Sequence, residues 1–473
     1  MSDDSPDELR QRLVEKLRQD GMLRDPIVER ALLSVPRHLF VPGASLEHAY
    51  SDNAIPTHEE DGIPISSASQ PTVVAIMLQQ LGVTPGMRVL EIGAGTGYNA
   101  ALLAELVGPT GHVTTVDISE EIAAEARDHL AAAGYPQVEV IAADGADGWP
   151  ANAPYDRIEL TVGVGDIVPA WFEQLDEGGL MTLPLWLGVS DASVAFRKRD
   201  GVLVSESLAP CGFMRLRGSE QSATTWVSLG NGLRLGSDES NQLADPLRAL
   251  LATRPRWRPF VGDPALIYWL GLRGLRLVAL SHESRRPFPL GRHRVRYGVY
   301  AEGEDGPSLS ILAARMPMLI SFGGREAERR IMAEAEHWQT MRRVPLEQWR
   351  ITAWPRFTGI EPPPPPPGVY RQERRHFTYD IGVGYALGPL FVTPSDAPLA
   401  LPLLWERGPG GEVQCYDATY REAATRIVTF ASAACGPFGV IRIRLTRTWA
   451  PSSIRSRSWR RSSTELTGRS FNL

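Results

Sequence analysis

The run Met87-Arg88-Val89-Leu90-Glu91-Ile92 ends in Gly93-Ala94-Gly95-Thr96-Gly97-Tyr98, and residues 99–107 then have helical composition. Strand, glycine turn and helix in that order make a nucleotide-binding start. The glycines let the backbone pass close to a ligand and leave helix N–H groups pointing at it. A second strand, 113–116, closes on Asp117, twenty residues after Gly97. An acid there can accept hydrogen bonds from both hydroxyls of a ribose. A helix at 120–133, a strand at 138–141, Ala143-Asp144-Gly145, a strand at 155–161 and a helix at 169–175 continue the alternation. Gly178-Gly179 then leads into a strand at 180–183. This order predicts an α/β fold, a mostly parallel sheet with helices on both faces.

That unit accounts for less than half of the 473 residues, so a chain of this length holds further domains. With 43% hydrophobic and 22% charged residues it has globular composition. Nothing approaches the roughly 18 consecutive apolar residues of a membrane span, and no membrane partner is expected. Residues 1–10 are mostly acidic and polar, unlike the basic and then apolar start of a secretory signal, so a cytoplasmic location is expected. The net charge of −6 gives no basic footprint for nucleic acid. Cys211, Cys415 and Cys435 are too scattered for a disulfide framework or a zinc site. Ser5-Pro6-Asp7-Glu8 reads as a capping box opening one N-terminal helix, and Asp25-Pro26 opens a second.

A pyrophosphate-binding fingerprint wants glycine where Tyr98 stands. The pattern is instead Glu-x-Gly-x-Gly-x-Gly from Glu91 to Gly97. It resembles the first motif of class I S-adenosylmethionine-dependent methyltransferases, a Rossmann-like fold. The resemblance implies S-adenosyl-L-methionine as cofactor, with Glu91, Gly93, Gly95 and Gly97 around its methionine end. It further implies Asp117 on the ribose and Asp144-Gly145 beside the adenine.

The flanks narrow the family. Val35-Pro36-Arg37-His38-Leu39-Phe40-Val41-Pro42, Tyr50-Ser51-Asp52 and above all Ile65-Ser66-Ser67-Ala68-Ser69-Gln70-Pro71-Thr72-Val73-Val74-Ala75 resemble the protein-L-isoaspartate O-methyltransferases. The resemblance spans roughly residues 9 to 187 and places Ser69 beside the transferred methyl, as the catalytic residue that orients an acceptor carboxylate. Ser66 and Ser67 would contact the cofactor's carboxylate end. Read without the resemblance, a serine before Gln-Pro is a helix cap, and the two roles are compatible. The family's glycine-rich segment before Ile-Ser is replaced by Thr57-His58-Glu59-Glu60-Asp61-Gly62-Ile63-Pro64. This reads as a solvated acidic loop and not a metal site, with no metal expected. An acidic rim there should disfavour densely acidic substrates.

Simple members of the family are about half as long. Cys211-Gly212-Phe213-Met214-Arg215-Leu216-Arg217-Gly218 resembles a segment of extended relatives encoded with ribosomally made, modified peptides. That resemblance implies methylation of an Asp or isoAsp carboxylate in a protein or peptide, a ribosomal precursor peptide among them, with the ester able to cyclise to aspartimide. Cys211 itself reads as a small buried residue. Strand-like runs at 275–280, 293–300, 308–312 and 440–445 and a helix at 326–341, with Trp338 in its core face, read as an α+β appendage. The expected organisation is a catalytic domain over 1–206 and a substrate-engagement appendage over 207–360. A linker with six prolines (362–367) and more of the appendage follow over 361–449, then a basic Ser/Arg tail over 450–473. A methyltransferase of a small-molecule acceptor and a noncatalytic scaffold that keeps the cofactor fold are the competing readings.

Overall fold

The computed structural model describes residues 4–60, 63–188, 190–221, 225–237, 239–262, 265–282, 296–313, 318–383, 404–407, 413–416 and 428–429. The run at 440–445 and the basic tail lie outside them. The chain divides into two units, 1–388 and 389–473.

The first unit opens with α1 (Pro6–Gln19), whose capping box is formed in both directions between Ser5 and Glu8. Next come α2 (Pro26–Ser34), capped by Asp25, and the short α3 (Leu46–Ala49). The segment expected to be an acidic loop instead forms a hairpin, β1 (Ile55–Glu60) with β2 (Ile63–Ala68), and α4 (Pro71–Leu81) follows. Alternation explains the hairpin: Ile55, Ser66 and Ala68 turn inward while Glu59 and Glu60 stay in solvent.

The central sheet has ten strands. Its parallel half comprises β3 (Arg88–Ile92), β4 (His112–Asp117), β5 (Glu139–Ala142), β6 (Tyr155–Leu160) and β7 (Leu175–Trp186) in the order β5-β4-β3-β6-β7. Helices α5 (Tyr98–Val107), α6 (Glu120–Ala132) and α7 (Pro169–Gln174) connect these strands. Both faces are buried. Val89, Val113 and Leu180 join a core with the helices α1 to α6, whereas their neighbours Leu90, Ile158 and Met181 join the core that holds Trp171 of α7. The order reverses between β3 and β6, so the ligand crevice of such a sheet opens at Gly93 and Thr161.

Antiparallel strands extend this sheet beyond β7. They are β8 (Asp191–Arg199) and β9 (Val202–Cys211), then three strands from much later in the chain. Between them lies a second, seven-stranded antiparallel sheet: β10 (Thr225–Gly230), β11 (Leu233–Ser237), β12 (Arg256–Pro259), β13 (Arg276–His282), β14 (Arg296–Gly303), β15 (Gly306–Ala313) and β16 (Met318–Gly323). One face, with Val278 and Leu280, packs on α8 (Ser240–Leu251). The other, with Leu277 and Ala279, joins the larger core with α9 (Leu266–Leu272) and α10 (Glu326–Thr340). Trp338 of α10 lies in that core, 1% exposed, its ring centroid 5.4 Å from that of Trp269.

The chain then returns to the first sheet as β17 (Arg350–Pro355), β18 (Val369–Glu373) and β19 (Phe377–Gly382), with β17 pairing β9 at Val204 and Leu203. The boundary expected at 206/207 therefore falls inside β9. The polyproline stretch is the connection between two strands of one sheet, not a link between bodies. No local signal in residues 350–382 says which earlier strand they pair with. The second unit contains β20 (Leu404–Arg407), β21 (Val413–Tyr416) and β22 (Val428–Thr429), a small antiparallel sheet. No helix among the described residues is long and apolar enough to cross a membrane.

Candidate functional site

Gly93, Gly95 and Gly97 all take positive φ, at +102°, +51° and +86°, the region that a side chain disfavours. A Cβ on Gly93 would stand 2.7 Å from Thr161 Oγ1, across the point where the strand order reverses. Gly97 caps α5 without any side-chain hydrogen bond, which leaves that helix's first N–H groups directed at the crevice. Asp117, at the end of β4, accepts from Gly95 N through Oδ2 and from Ser119 N through Oδ1, each at 3.1 Å. A cavity of about 1740 Å³ opens over these groups, lined on this side by Ser66, Ser67, Ser69, Gly95, Asp117 and Gly145.

Glu91 borders the same cavity, but its carboxylate is turned beneath the glycine turn. It accepts from Thr115 Oγ1 at 2.5 Å and from Asn99 Nδ2 at 2.8 Å, and the same nitrogen lies 2.8 Å from Glu159 Oε2. Thr115, Glu91 and Glu159 are in register on β4, β3 and β6, so a period of two puts all three on the face under α5. Burial pushes Glu91 up to about 8 and Glu159 up to about 7. The carboxylate that the first motif places against the ligand's cationic end is thus held from inside. Glu159, an acid between Ile158 and Leu160 of a buried strand, was the readable signal of its partner.

The serine segment is anchored by Arg37, which the sequence placed in a matching motif without a role. Arg37 is fully buried. Its Nη2 donates to the Ser69 carbonyl at 2.9 Å, its Nε donates to the Ala49 carbonyl at 2.9 Å, and its guanidinium sits 4.8 Å from the Tyr98 ring centroid. Tyr98, the residue that breaks the dinucleotide fingerprint, is buried against Phe40 as well. Ser69 is not the cap of α4. That position is Gln70, and Asp52 does the capping work, accepting from Thr72 N at 2.9 Å and from Thr72 Oγ1 at 2.8 Å. The Ser69 hydroxyl has no hydrogen-bond partner among the described residues and lines the cavity. Ser66 is nearly buried, and its Oγ accepts from Thr57 Oγ1 at 3.0 Å.

Asp144 faces a different neighbour from the one expected. Its Oδ2 accepts from Ser219 N at 2.7 Å and its Oδ1 from Ala146 N at 2.9 Å, while Gly145 alone of the two lines the cavity. Burial opposes its charge, but these two amides outweigh it and hold the carboxyl below its ordinary value. Segment 213–220 is thereby pinned over the strand ends. Gly163 N donates to Met214 O at 2.7 Å, Leu216 N donates to Gly163 O at 2.9 Å, and Arg375 reaches Glu220 at 2.9 Å. Cys211 borders the cavity, and burial keeps its thiol pKa well above the ordinary value, against a nucleophilic role. His58 turns to Glu125 of α6 at 3.3 Å and gathers with Glu121 and Glu125, while Glu59 and Glu60 do not join it and Asp61 lies outside the described residues.

A parallel half-sheet of this order, a glycine turn at its reversal point and an acid ending the second strand define a class I S-adenosylmethionine-dependent methyltransferase. The residues fit that cofactor: a Cβ on Gly95 would point at Ser67 O and Ser66 Oγ, 3.6 and 3.9 Å away, into the space between turn and serines.

The family model for protein-L-isoaspartate(D-aspartate) O-methyltransferase matches residues 8–221. The protein-L-isoaspartate O-methyltransferase of Hyperthermus butylicus is 41% identical over 220 residues, 45% of this chain and 89% of its own. That of Methanopyrus kandleri is 41% identical over 213 residues, 45% of this chain and 92% of its own. A solved structure of a protein-L-isoaspartate O-methyltransferase is 25% identical, covers 72% of this chain and 96% of its own, and superposes with a TM-score of 0.43. The chain belongs to the protein-L-isoaspartate(D-aspartate) O-methyltransferase family. It is an S-adenosylmethionine-dependent protein carboxyl O-methyltransferase.

Proposed function

We propose that this methyltransferase acts on an aspartyl or isoaspartyl carboxylate of a dedicated, constrained peptide, a ribosomal precursor peptide being the favoured class, in preference to general repair. The observation that carries this reading is the continuity of the cavity. It runs from the glycine turn to a wall built by the seven-stranded sheet, with Trp226, Tyr297 and Met318, and by the segment from β12 into α9, with Phe260 and Leu266, all beyond the residues that the family model matches. Small-molecule sites occupy about 300–1000 Å³, so about 1740 Å³ leaves room for several residues of a peptide beside a cofactor.

In this reading Ser66 and Ser67 hold the carboxylate end of S-adenosylmethionine, Asp117 its ribose and Gly145 the side of its adenine. The turn at Gly93, Gly95 and Gly97 lets the backbone close on it. Glu91 keeps that turn in place from below, through Thr115 and Asn99, and Asp144 contributes by pinning segment 213–220. The cofactor supplies an electrophilic methyl. An acceptor carboxylate is already ionised at neutral pH and needs no strong base. The protein's part is to orient one carboxylate oxygen and exclude water. Ser69, with its hydroxyl uncommitted and its carbonyl fixed by Arg37, donates to that carboxylate. In the ester product a neighbouring backbone nitrogen attacks the carbonyl; the C–N bond of the aspartimide forms and methanol leaves with the proton.

The test offers the full-length protein an unstructured isoaspartyl peptide and a macrocyclic aspartyl peptide, and follows gain of a methyl and then loss of methanol by mass spectrometry. Faster turnover of the macrocycle supports the dedicated-peptide reading. Equal or faster turnover of the unstructured peptide returns the protein to general repair.

A further inference from the structure

The charge of the cavity is divided. At the glycine turn its carboxyl groups are Glu91 and Asp117. Away from the turn stand the carboxyl of Asp191 and four arginines, Arg215, Arg217, Arg234 and Arg296. Asp191 is 4% exposed and already neutralised, with Arg215 Nη1 at 2.8 Å, and the Arg215 guanidinium stacks 4.0 Å from the centroid of Trp186. Arg217 differs from Arg215. Among the described residues it has neither an ion pair nor a hydrogen-bonded carboxylate, although it is half-buried in the cavity wall.

Arg217 is also held in place. On one side Leu216 N donates to Gly163 O and the Leu216 side chain is buried. On the other, Gly218 has φ +107° and lies so close to Asp144 that a Cβ would stand 2.6 Å from its oxygens, and Ser219 N is bonded to the same carboxylate. A cation on a fixed backbone, partly removed from water and without a counter-charge among the described residues, is a preorganised anion receptor.

We propose that the acceptor peptide carries a second carboxylate close to the one that is methylated, and that Arg217 receives this second group. The inference rests on the peptide-acceptor reading given above. Transfer of a methyl cation to a carboxylate consumes negative charge. A guanidinium paired to the reacting group would favour the ground state over the transition state and slow the step. The arginine side of the cavity therefore suits a carboxylate that does not react, while Ser69 takes the one that does. The acidic residues Glu59 and Glu60 of the β1–β2 hairpin do not line the cavity.

The test uses the full-length protein saturated with S-adenosylhomocysteine. It titrates into it isoaspartyl hexapeptides, acetylated and amidated, with Glu, Gln or Lys beside the isoaspartyl residue. A further Gln peptide ends in a free carboxylate, to separate an acidic side chain from a chain terminus as the source. The carboxylate-bearing peptide of one or the other kind should bind about tenfold more tightly than the amidated Gln peptide, which corresponds to about 1.4 kcal/mol. Arg217→Gln should bring the ratio close to one, and Arg217→Glu should turn the preference toward Lys. Equal affinities across the series, no binding by any peptide, or a preference that survives Arg217→Gln would overturn the proposal. Methyl transfer to the same peptides is read separately. Transfer without a charge preference removes Arg217 and leaves the peptide-acceptor reading standing. A charge preference without transfer to any peptide does the reverse.

Discussion

Glu91 and Glu159 stand side by side on adjacent parallel strands and share a single donor, Asn99 Nδ2, which lies 2.8 Å from an oxygen of each. Two ionised carboxylates around one amide nitrogen in a buried layer would repel each other, so the pair retains a proton near neutral pH. The folded values, about 8 and about 7, both lie above the ordinary 4.5, chiefly through burial.

The pH dependence of stability follows with a definite sign. Between 4.5 and about 8 the folded state binds more protons at this pair than the unfolded state does. Stability from the pair is therefore complete below 4.5 and is lost as pH rises toward 8. Glu159→Gln should flatten this part of the profile. Urea unfolding at several pH values between 4.5 and 8 checks it, and an unchanged slope in the variant would exclude the pair as its source.

Asp117→Ala should weaken cofactor binding by about 1.5–3 kcal/mol, the range for hydrogen bonds to a charged group. Calorimetric titration of S-adenosylhomocysteine into the folded variant is the measurement. Unchanged affinity would mean that Asp117 serves only to hold Gly95 and Ser119.

Ser69→Ala should keep cofactor affinity and melting temperature while losing most methyl transfer, since only the orientation of the acceptor is damaged. Wild-type turnover in this variant would leave the uncommitted hydroxyl without a function.

Asp52→Ala is the contrasting case. It removes the acceptor for Thr72 N at the start of α4 and should cost about 0.5–2 kcal/mol of stability. Comparison with Ser69→Ala by chemical denaturation separates the capping residue from the orienting one. Equal destabilisation by both would assign the cap to Ser69 after all.

A chain ended at residue 206 should fail to unfold cooperatively. The cut removes half of β9 and, with it, β17, which pairs with β9 at Leu203 and Val204. Differential scanning calorimetry and solubility report this directly. A soluble, cooperative fragment that binds cofactor would show that the parallel half-sheet is independent of its antiparallel extension.

The glycine turn, the acid after the second strand and the alternation of strands and helices up to residue 183 were legible because they are local. Positive φ demands glycine, a cap demands a short polar residue, and a strand buried on both faces reads as an apolar run. Ser5, Asp25, Gly93 and Asp117 could be assigned on those grounds alone. The pairings of Arg37 with Ser69, Glu91 with Asn99 and Asp144 with Ser219 could not, because the partners lie 32, 8 and 75 residues apart. Spacing along the chain carries no information about such contacts. The return of residues 350–382 to the first sheet was likewise invisible, since β-strand pairing depends on which edge is left open once everything else has packed. Tertiary structure alone decided that a second sheet would wall the cavity and that Arg217 would stand in its lining without an ion-pair partner among the described residues.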